Sequence, residues 1–277
     1  MEQQTHLLNN AAQKQEVRSF WNEASCGEAL YLRGVDRDGF TAQLSRRYEL
    51  EPYILDFAKF EEFRDKRVLE IGVGLGADHQ KFAEAGADLY GVDLTERAVE
   101  LTRNRLACFD LESKLEVGDA EYLSFEDESF DLVYSWGVLH HSPDTPRAIS
   151  EVWRVLKLGG TCKIMIYHKW SMVGILLWLR YAFLALRPFT SLEEIYASYL
   201  ESPGTKAYSM SEAKTLFKTF AEVKISTVLT HGDLLASGAG QRHHGAVLSI
   251  GRKVWPRRMI RKFFPKSGLF MLIEARK

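Results

Sequence analysis

Two rhythms alternate along the chain from about residue 66. Short, nearly continuous apolar runs give way to stretches whose apolar residues recur every three or four positions. "KRVLEIGV" reads as a buried strand and "GADHQKFAEAG" as the helix after it. "DLYGVDL" is a second strand, followed by the helix "TERAVELTRNRLACF". "KLEVGDA" makes a third strand and "FDLVYSWGVL" a fourth. "TPRAISEVWRVLK" is then a helix, closed by Gly159-Gly160, and "TCKIMIYH" is the fifth strand. Apolar strands separated by helices predict a parallel sheet covered on both faces, an α/β fold.

Past Lys169 the rhythm changes. An apolar segment and the loop "ESPGTKAYS" precede "SEAKTLFKTF", a helix whose capping-box-like start is Ser211. "EVKISTVLT" is a sixth strand and "LFMLIEARK" a seventh. Between those two lies a long excursion, and loops of that size in compact domains are usually functional. The expected organisation is an N-terminal helical cap over residues 1–65 and one sheet domain over 66–277. That domain carries insertions at about 169–210 and 233–268.

Composition narrows the class. The 277 residues are 46% hydrophobic and 26% charged, enough for a substantial core, and the formal net charge of −1 argues against a wholesale nucleic-acid binder. Three scattered cysteines, Cys26, Cys108 and Cys162, suit reduced thiols and a cytoplasmic setting and argue against a structural zinc site. "SMVGILLWLRYAFLALRPF" is interrupted by Arg180 and falls short of the roughly 20 apolar residues that span a bilayer. It is expected to be a buried or interface-lying helix.

Chemistry enters at "VLEIGVGLG". Gly72, Gly74 and Gly76 sit where the first strand turns into a helix, allowing a ligand to approach the backbone beside a helix N-terminus. Asp93 ends the second strand, where a carboxylate can accept both hydroxyls of a ribose. Asp119 and the backbone of Ala120 end the third strand and can read the edge of an adenine. The dinucleotide pattern Gly-x-Gly-x-x-Gly has Ala77 at its last position, which leaves NAD open. Glu70, two residues before the first glycine, suits a cationic amino group better than a pyrophosphate.

Together, "VLEIGVGLG", "GVDLT", "GDAEYLSFEDESFD", "FDLVYSWGVLHHSPD" and "EVWRVLKLGG" resemble the class I S-adenosylmethionine-dependent methyltransferases, over residues 66–168 and the terminal strand pair. The resemblance implies a Rossmann-like, seven-stranded, mostly parallel sheet whose last strand is antiparallel. It also implies S-adenosylmethionine as cofactor and S-adenosylhomocysteine as product. Glu70, Gly72, Gly74 and Gly76 would hold the methionine part, Asp93 with Leu94 the ribose, and Asp119 with Ala120 the adenine. Ser135 and Trp136 would line the methionine side and face the acceptor. The implied reaction is in-line displacement of a methyl group by a small, partly apolar acceptor, with no metal required. No residue indicates which atom is methylated.

Outside that shell, His140, His141, Tyr167 and His168 end strands four and five and are the catalytic candidates; their structural alternative is to brace loops. Glu201, Tyr208, His231, Arg242 and His243 sit in two glycine-rich loops and are candidate acceptor contacts. "GRKVWPRRMIRKFFPK" alternates basic and bulky residues. It suits peripheral contact with a membrane surface through Arg252–Lys266, or a solvated helix face. The competing readings are an NAD-linked oxidoreductase on a similar sheet and a membrane-associated scaffold without activity.

Overall fold

A computed structural model describes residues 2–236, 252–253 and 255–277, with side chains from residue 9 onward. Seven strands form one sheet in the order β3-β2-β1-β4-β5-β7-β6. They are β1 (Arg67–Ile71), β2 (Asp88–Asp93), β3 (Lys114–Val117), β4 (Phe130–Trp136), β5 (Leu156–Tyr167), β6 (Glu222–Val228) and β7 (Phe270–Arg276). The pairs among β1 to β5 are parallel, and β7 runs antiparallel between β5 and β6. The order reverses between β1 and β2 on one side and β4 on the other. Ligands of open α/β sheets bind at such a switch point, outside the carboxyl ends of the strands.

Both faces of the sheet are covered, as continuous apolar strands require. On one face α7 (Thr145–Val155) packs Ile149, Val152 and Val155 on Leu69, Val133 and Ile164. On the other, α5 (Ala77–Glu84) brings Phe82 into a cluster with Val68, Leu132 and Tyr134. Between these helices in sequence, α6 (Glu96–Cys108) follows β2, its N-terminus capped by Thr95. Four helices precede β1: α1 (Glu2–Glu23), α2 (Glu28–Tyr31), α3 (Arg37–Leu50) and α4 (Tyr53–Ala58). Arg97 of α6 grips Glu28 through two nitrogens, at 2.5 and 2.7 Å, and ties this N-terminal segment to the sheet domain.

Several expected boundaries move. The helix α7 ends at Val155, and β5 begins at Leu156, so Gly159-Gly160 lies inside the strand and not at a helix end. A shift in register between Phe130 and Leu132 absorbs the irregularity. The fourth strand stops at Trp136, where Gly137 takes a positive φ. The cap of α10 (Met210–Leu216) is Ser209 and not Ser211. Ser209 and Glu212 form the reciprocal capping box, because only Ser209 has an acid three residues on. The segment from Ser171 folds as α8 (Met172–Trp178), capped by Ser171 and continued by one wide turn over Leu179–Phe183. It is followed by α9 (Leu192–Tyr199). The last helix, α11 (Arg257–Phe263), precedes β7.

Candidate functional site

A cavity of about 690 Å³ opens above the carboxyl ends of β1, β2 and β4 and is roofed by α1, α2 and α3. Its floor is the glycine loop. Gly72, Gly74 and Gly76 hold φ of 83, 53 and 72°, a left-handed region that disfavours side chains. A Cβ at Gly72 would lie 2.1 Å from Val138, so the loop can pass under β4 only as glycine. Beneath it, the buried Arg105 of α6 donates to the Leu75 carbonyl at 2.6 Å and to Gln80 at 2.9 Å, and also reaches Gln43. That residue, unremarked in the sequence, fixes the loop from behind.

Asp93 lies on the cavity wall beside Leu94. One carboxylate oxygen accepts from the Thr95 amide and hydroxyl at 3.0 and 2.9 Å, the other from the Gly74 amide at 3.2 Å. The residue therefore shapes the loop as well as facing the space a ribose would fill. Burial pushes its carboxyl up, against those donors. Asp119 and Ala120 also line the cavity, and here α1 adds Lys14, whose ammonium meets Asp119 at 2.5 Å and Glu121 at 2.6 Å. The carboxylate expected to read an adenine edge is thus shared with a lysine from the N-terminal helix.

Glu70 borders the methionine side of the floor but is not free-standing. It sits 2.8 Å from His79 Nδ1, and His79 Nε2 lies 2.7 Å from Ser113 Oγ, which itself donates to the Leu89 carbonyl. Burial holds the Glu70 carboxyl well above its usual range and drives His79 down to about 3. Both shifts fit one proton arrangement: neutral His79 donates from Nε2 to Ser113 and accepts at Nδ1 from a protonated Glu70. Close by, Asp78 accepts from Arg47 at 2.9 and 2.7 Å, from Tyr48 at 3.0 Å and from Tyr134 at 2.8 Å. Burial opposes its ionisation, but the Arg47 guanidinium and these donors hold it below the ordinary carboxylate range. Arg47 and Asp78 both line the cavity, and nothing in the one-dimensional pattern marked them.

Beyond the glycine loop the cavity turns apolar and aromatic, lined by Trp21, Trp136, Met165, Val173, Leu177 and Phe270. A few polar groups converge there. Tyr167 donates to Glu201 at 2.7 Å, and the same Glu201 oxygen lies 3.4 Å from His141 Nε2. His141 Nδ1 is 2.8 Å from Ser202 Oγ and 3.1 Å from Thr205 Oγ1. Since Thr205 donates its hydrogen to the Ser202 carbonyl at 2.7 Å, it can only accept from Nδ1. His141 Nε2 is buried and, Glu201 apart, has no partner among the described residues. Glu51 of the α3–α4 junction also lines the cavity, and burial raises its carboxyl to about 7. His231 joins the lining, its Nδ1 without a hydrogen-bond partner among the described residues.

The structure separates the remaining candidates from the cavity. Ser135 is fully buried behind β4, donating to the Ile71 carbonyl at 2.9 Å, so only its neighbour Trp136 faces in. His140 is buried between the rings of His141 and Tyr167, 4.2 and 4.0 Å away, and is absent from the lining. His168 sits 3.2 Å from the Gly268 carbonyl through Nδ1 and braces the insertion. Tyr208 pairs through its backbone with His168 and packs on the core around α7. Backbone alternation explains the first of these outcomes, since Ser135 and Trp136 are neighbours in β4 and point to opposite faces. Arg242 and His243 lie outside the described residues. Among the described residues, His140, His141 and Glu201 bring ligand-type atoms within 4.8 Å of one another. His140 in that group is absent from the cavity lining.

Residues 69–164 match the family model described as "Methyltransferase domain". Phosphoethanolamine N-methyltransferase 2 of Caenorhabditis elegans is 35% identical over 114 residues, 40% of this chain and 26% of that protein. Sterol 24-C-methyltransferase erg6 of Schizosaccharomyces pombe is 28% identical over 170 residues, 57% of this chain and 43% of that protein. The chain spans less than half the length of these curated relatives. The crystal structure of YcgJ from Bacillus subtilis shares the fold, with a TM-score of 0.52 at 21% identity, over 83% of this chain and 98% of that one. With its strand order, glycine loop and strand-end carboxylates, the segment 69–164 matches a methyltransferase domain of the Rossmann-like, S-adenosylmethionine-dependent kind.

Proposed function

We propose that the protein moves a methyl group from S-adenosylmethionine to a small, partly apolar organic acceptor. One observation carries this reading. A single continuous cavity joins the glycine loop, Asp93 and Asp119 to the aromatic chamber at Trp136, Tyr167, His141 and Glu201. The floor residues fit the cofactor: glycines where a side chain would collide, a carboxylate for the ribose, and Glu70, neutral in this arrangement, whose second oxygen can still accept from the amino end. When bound, S-adenosylmethionine supplies an electrophilic methyl group on a sulfonium.

The chain's own residues would do the rest. The apolar walls around Trp136, Met165 and Phe270 orient the acceptor and exclude water, and alignment of this kind supplies a large part of methyl-transfer catalysis. Where the acceptor carries a proton, we assign its uptake to His141, whose Nδ1 is held by Ser202 and Thr205. The imidazolium so formed lies beside Glu201, which Tyr167 keeps in place. Of the four catalytic candidates, His141 and Tyr167 are retained, and His140 and His168 become structural supports. The oxidoreductase alternative has no counterpart in the methyltransferase domain matched over 69–164.

Isothermal calorimetry on the purified chain tests the cofactor assignment, with S-adenosylhomocysteine and NAD as probes. Binding of the first and not the second is expected. Binding of NAD alone would reverse the assignment.

The basic run Arg252–Lys266 adds a place to the activity: peripheral contact with an anionic membrane surface. No helix of the described residues is long and apolar enough to cross a bilayer, so this contact would be superficial.

A further inference from the structure

The apolar segment after β5 does not end in the core. Leu177 and Ala182 are buried, but Phe183 is 55% exposed, Leu184 69%, Leu186 89% and Phe189 100%. Leu186 holds a φ of 58°, a left-handed backbone that disfavours any residue with a side chain. Four large apolar residues within seven positions, turned outward on a strained turn, form the kind of patch that marks an interaction surface.

A second segment stands beside it. Ile260 of α11 packs on Met172 at the start of α8, and the Met172 amide donates to the Ser267 carbonyl at 2.9 Å. With Ile260 inward, Met259 and Phe263, one turn apart, are exposed. Arg258, Arg261, Lys262 and Lys266 are exposed around them and form no ion pair with a described residue. Arg257 differs: its guanidinium donates to the carbonyls of Leu234, Leu235 and Arg252, so it ties the loop together. The first segment borders the cavity, which Leu179, Arg180 and Leu184 help to line, and Trp255, two residues before α11, lines it as well.

Resting on the reading of a partly apolar acceptor, we propose that this face docks on an anionic lipid bilayer, with the Phe183–Phe189 turn inserted. The cavity mouth then opens onto the membrane, and the acceptor is a lipophilic molecule that enters from it. Bulky apolar residues interleaved with unpaired cations match an interfacial surface, where burial and attraction to anionic headgroups act together. A second copy of this chain fits less well, because a two-fold contact would set the same cations against each other.

Co-sedimentation of the full chain with vesicles tests the docking. Vesicles containing phosphatidylglycerol should bind it, with vesicles of phosphatidylcholine alone retaining at least tenfold less, and added salt should release it. The double variant Leu186→Ser/Phe189→Ser and the double variant Arg258→Glu/Arg261→Glu should each weaken binding at least tenfold. Both should keep the wild-type affinity for S-adenosylhomocysteine, which shows that they fold. Failure of the wild type to bind anionic vesicles, or unchanged binding by the variants, would overturn the proposal. So would a wild-type dimer that the serine variants convert to a monomer without any vesicle binding. Vesicle binding by a protein that ignores S-adenosylhomocysteine would uphold the lipid face and sink the methyl-transfer reading instead.

Discussion

Under the proposed function, Asp93 would serve two tasks. Its oxygens accept from Gly74 and Thr95, and its position on the cavity wall leaves it facing the space for a ribose. Removing the whole side chain would confound the two, because the loop would lose its acceptor along with the ligand. Asp93→Asn is the sharper probe. The amide keeps one acceptor oxygen for the Thr95 side, but its NH2 can accept neither from the Gly74 amide nor from a second hydroxyl, so the loop loses one contact rather than all of them. Hydrogen bonds to a charged group contribute about 1.5–3 kcal/mol, so affinity for S-adenosylhomocysteine should fall about tenfold to a hundredfold. Calorimetry measures this, with a thermal melt as control. Unchanged affinity would remove Asp93 from the ribose contact. The same scale explains why one histidine of the pair is retained. His141 lines the cavity with its Nδ1 anchored, whereas His140, one residue away, does not line it.

At the scale of elements, the glycine loop depends on α6 as much as on its own glycines. Arg105 crosses from α6 to the Leu75 carbonyl, and its cationic head lies buried against the ring of Phe40 in α3. Burial lowers its guanidinium to about 10. Arg105→Met keeps most of the side-chain length but leaves the Leu75 carbonyl and the Gln80 side chain without their donor. Each stranded polar group costs about 1–3 kcal/mol, so the variant should be destabilised by roughly 2–5 kcal/mol in a denaturant titration. Affinity for S-adenosylhomocysteine should fall with it, because the loop loses its support. A variant as stable as wild type would show that the loop holds its shape without α6. The N-terminal helices act on the same site from above. Lys14 reaches Asp119 and Glu121, so α1, within the segment expected as a helical cap, forms part of the cavity roof.

For the molecule as a whole, the sheet was legible because its strands are apolar without interruption and its helices carry the other period. The strand-end positions of Asp93 and Asp119 follow from the same rhythm. Arg47, Asp78, Glu51 and Lys14 were not legible, since each reaches the cavity from an element whose docking depends on tertiary packing. Nor could period alone tell Ser135 from Trp136 or His140 from His141, because adjacent residues differ only in the side to which they turn. These buried charges also give the protein a pH signature. Glu51 has a folded pKa of about 7 against an ordinary 4.5, so between these values the folded state holds a proton that the unfolded state has released. Its contribution to stability is therefore present below about pH 4.5 and lost as pH rises to 7. His79, lowered by burial to about 3, acts in the opposite sense, gaining stability as pH rises toward 6.5. The two partly cancel in the wild type, and a single melting profile would not separate them. Comparison with Glu51→Gln does, because His79 is common to both proteins. The difference in unfolding free energy should move in favour of the variant from pH 4.5 to 7, by up to about 3 kcal/mol. Urea titrations of the cofactor-free proteins at several pH values measure it, and a difference independent of pH would show that Glu51 ionises as an ordinary surface carboxylate.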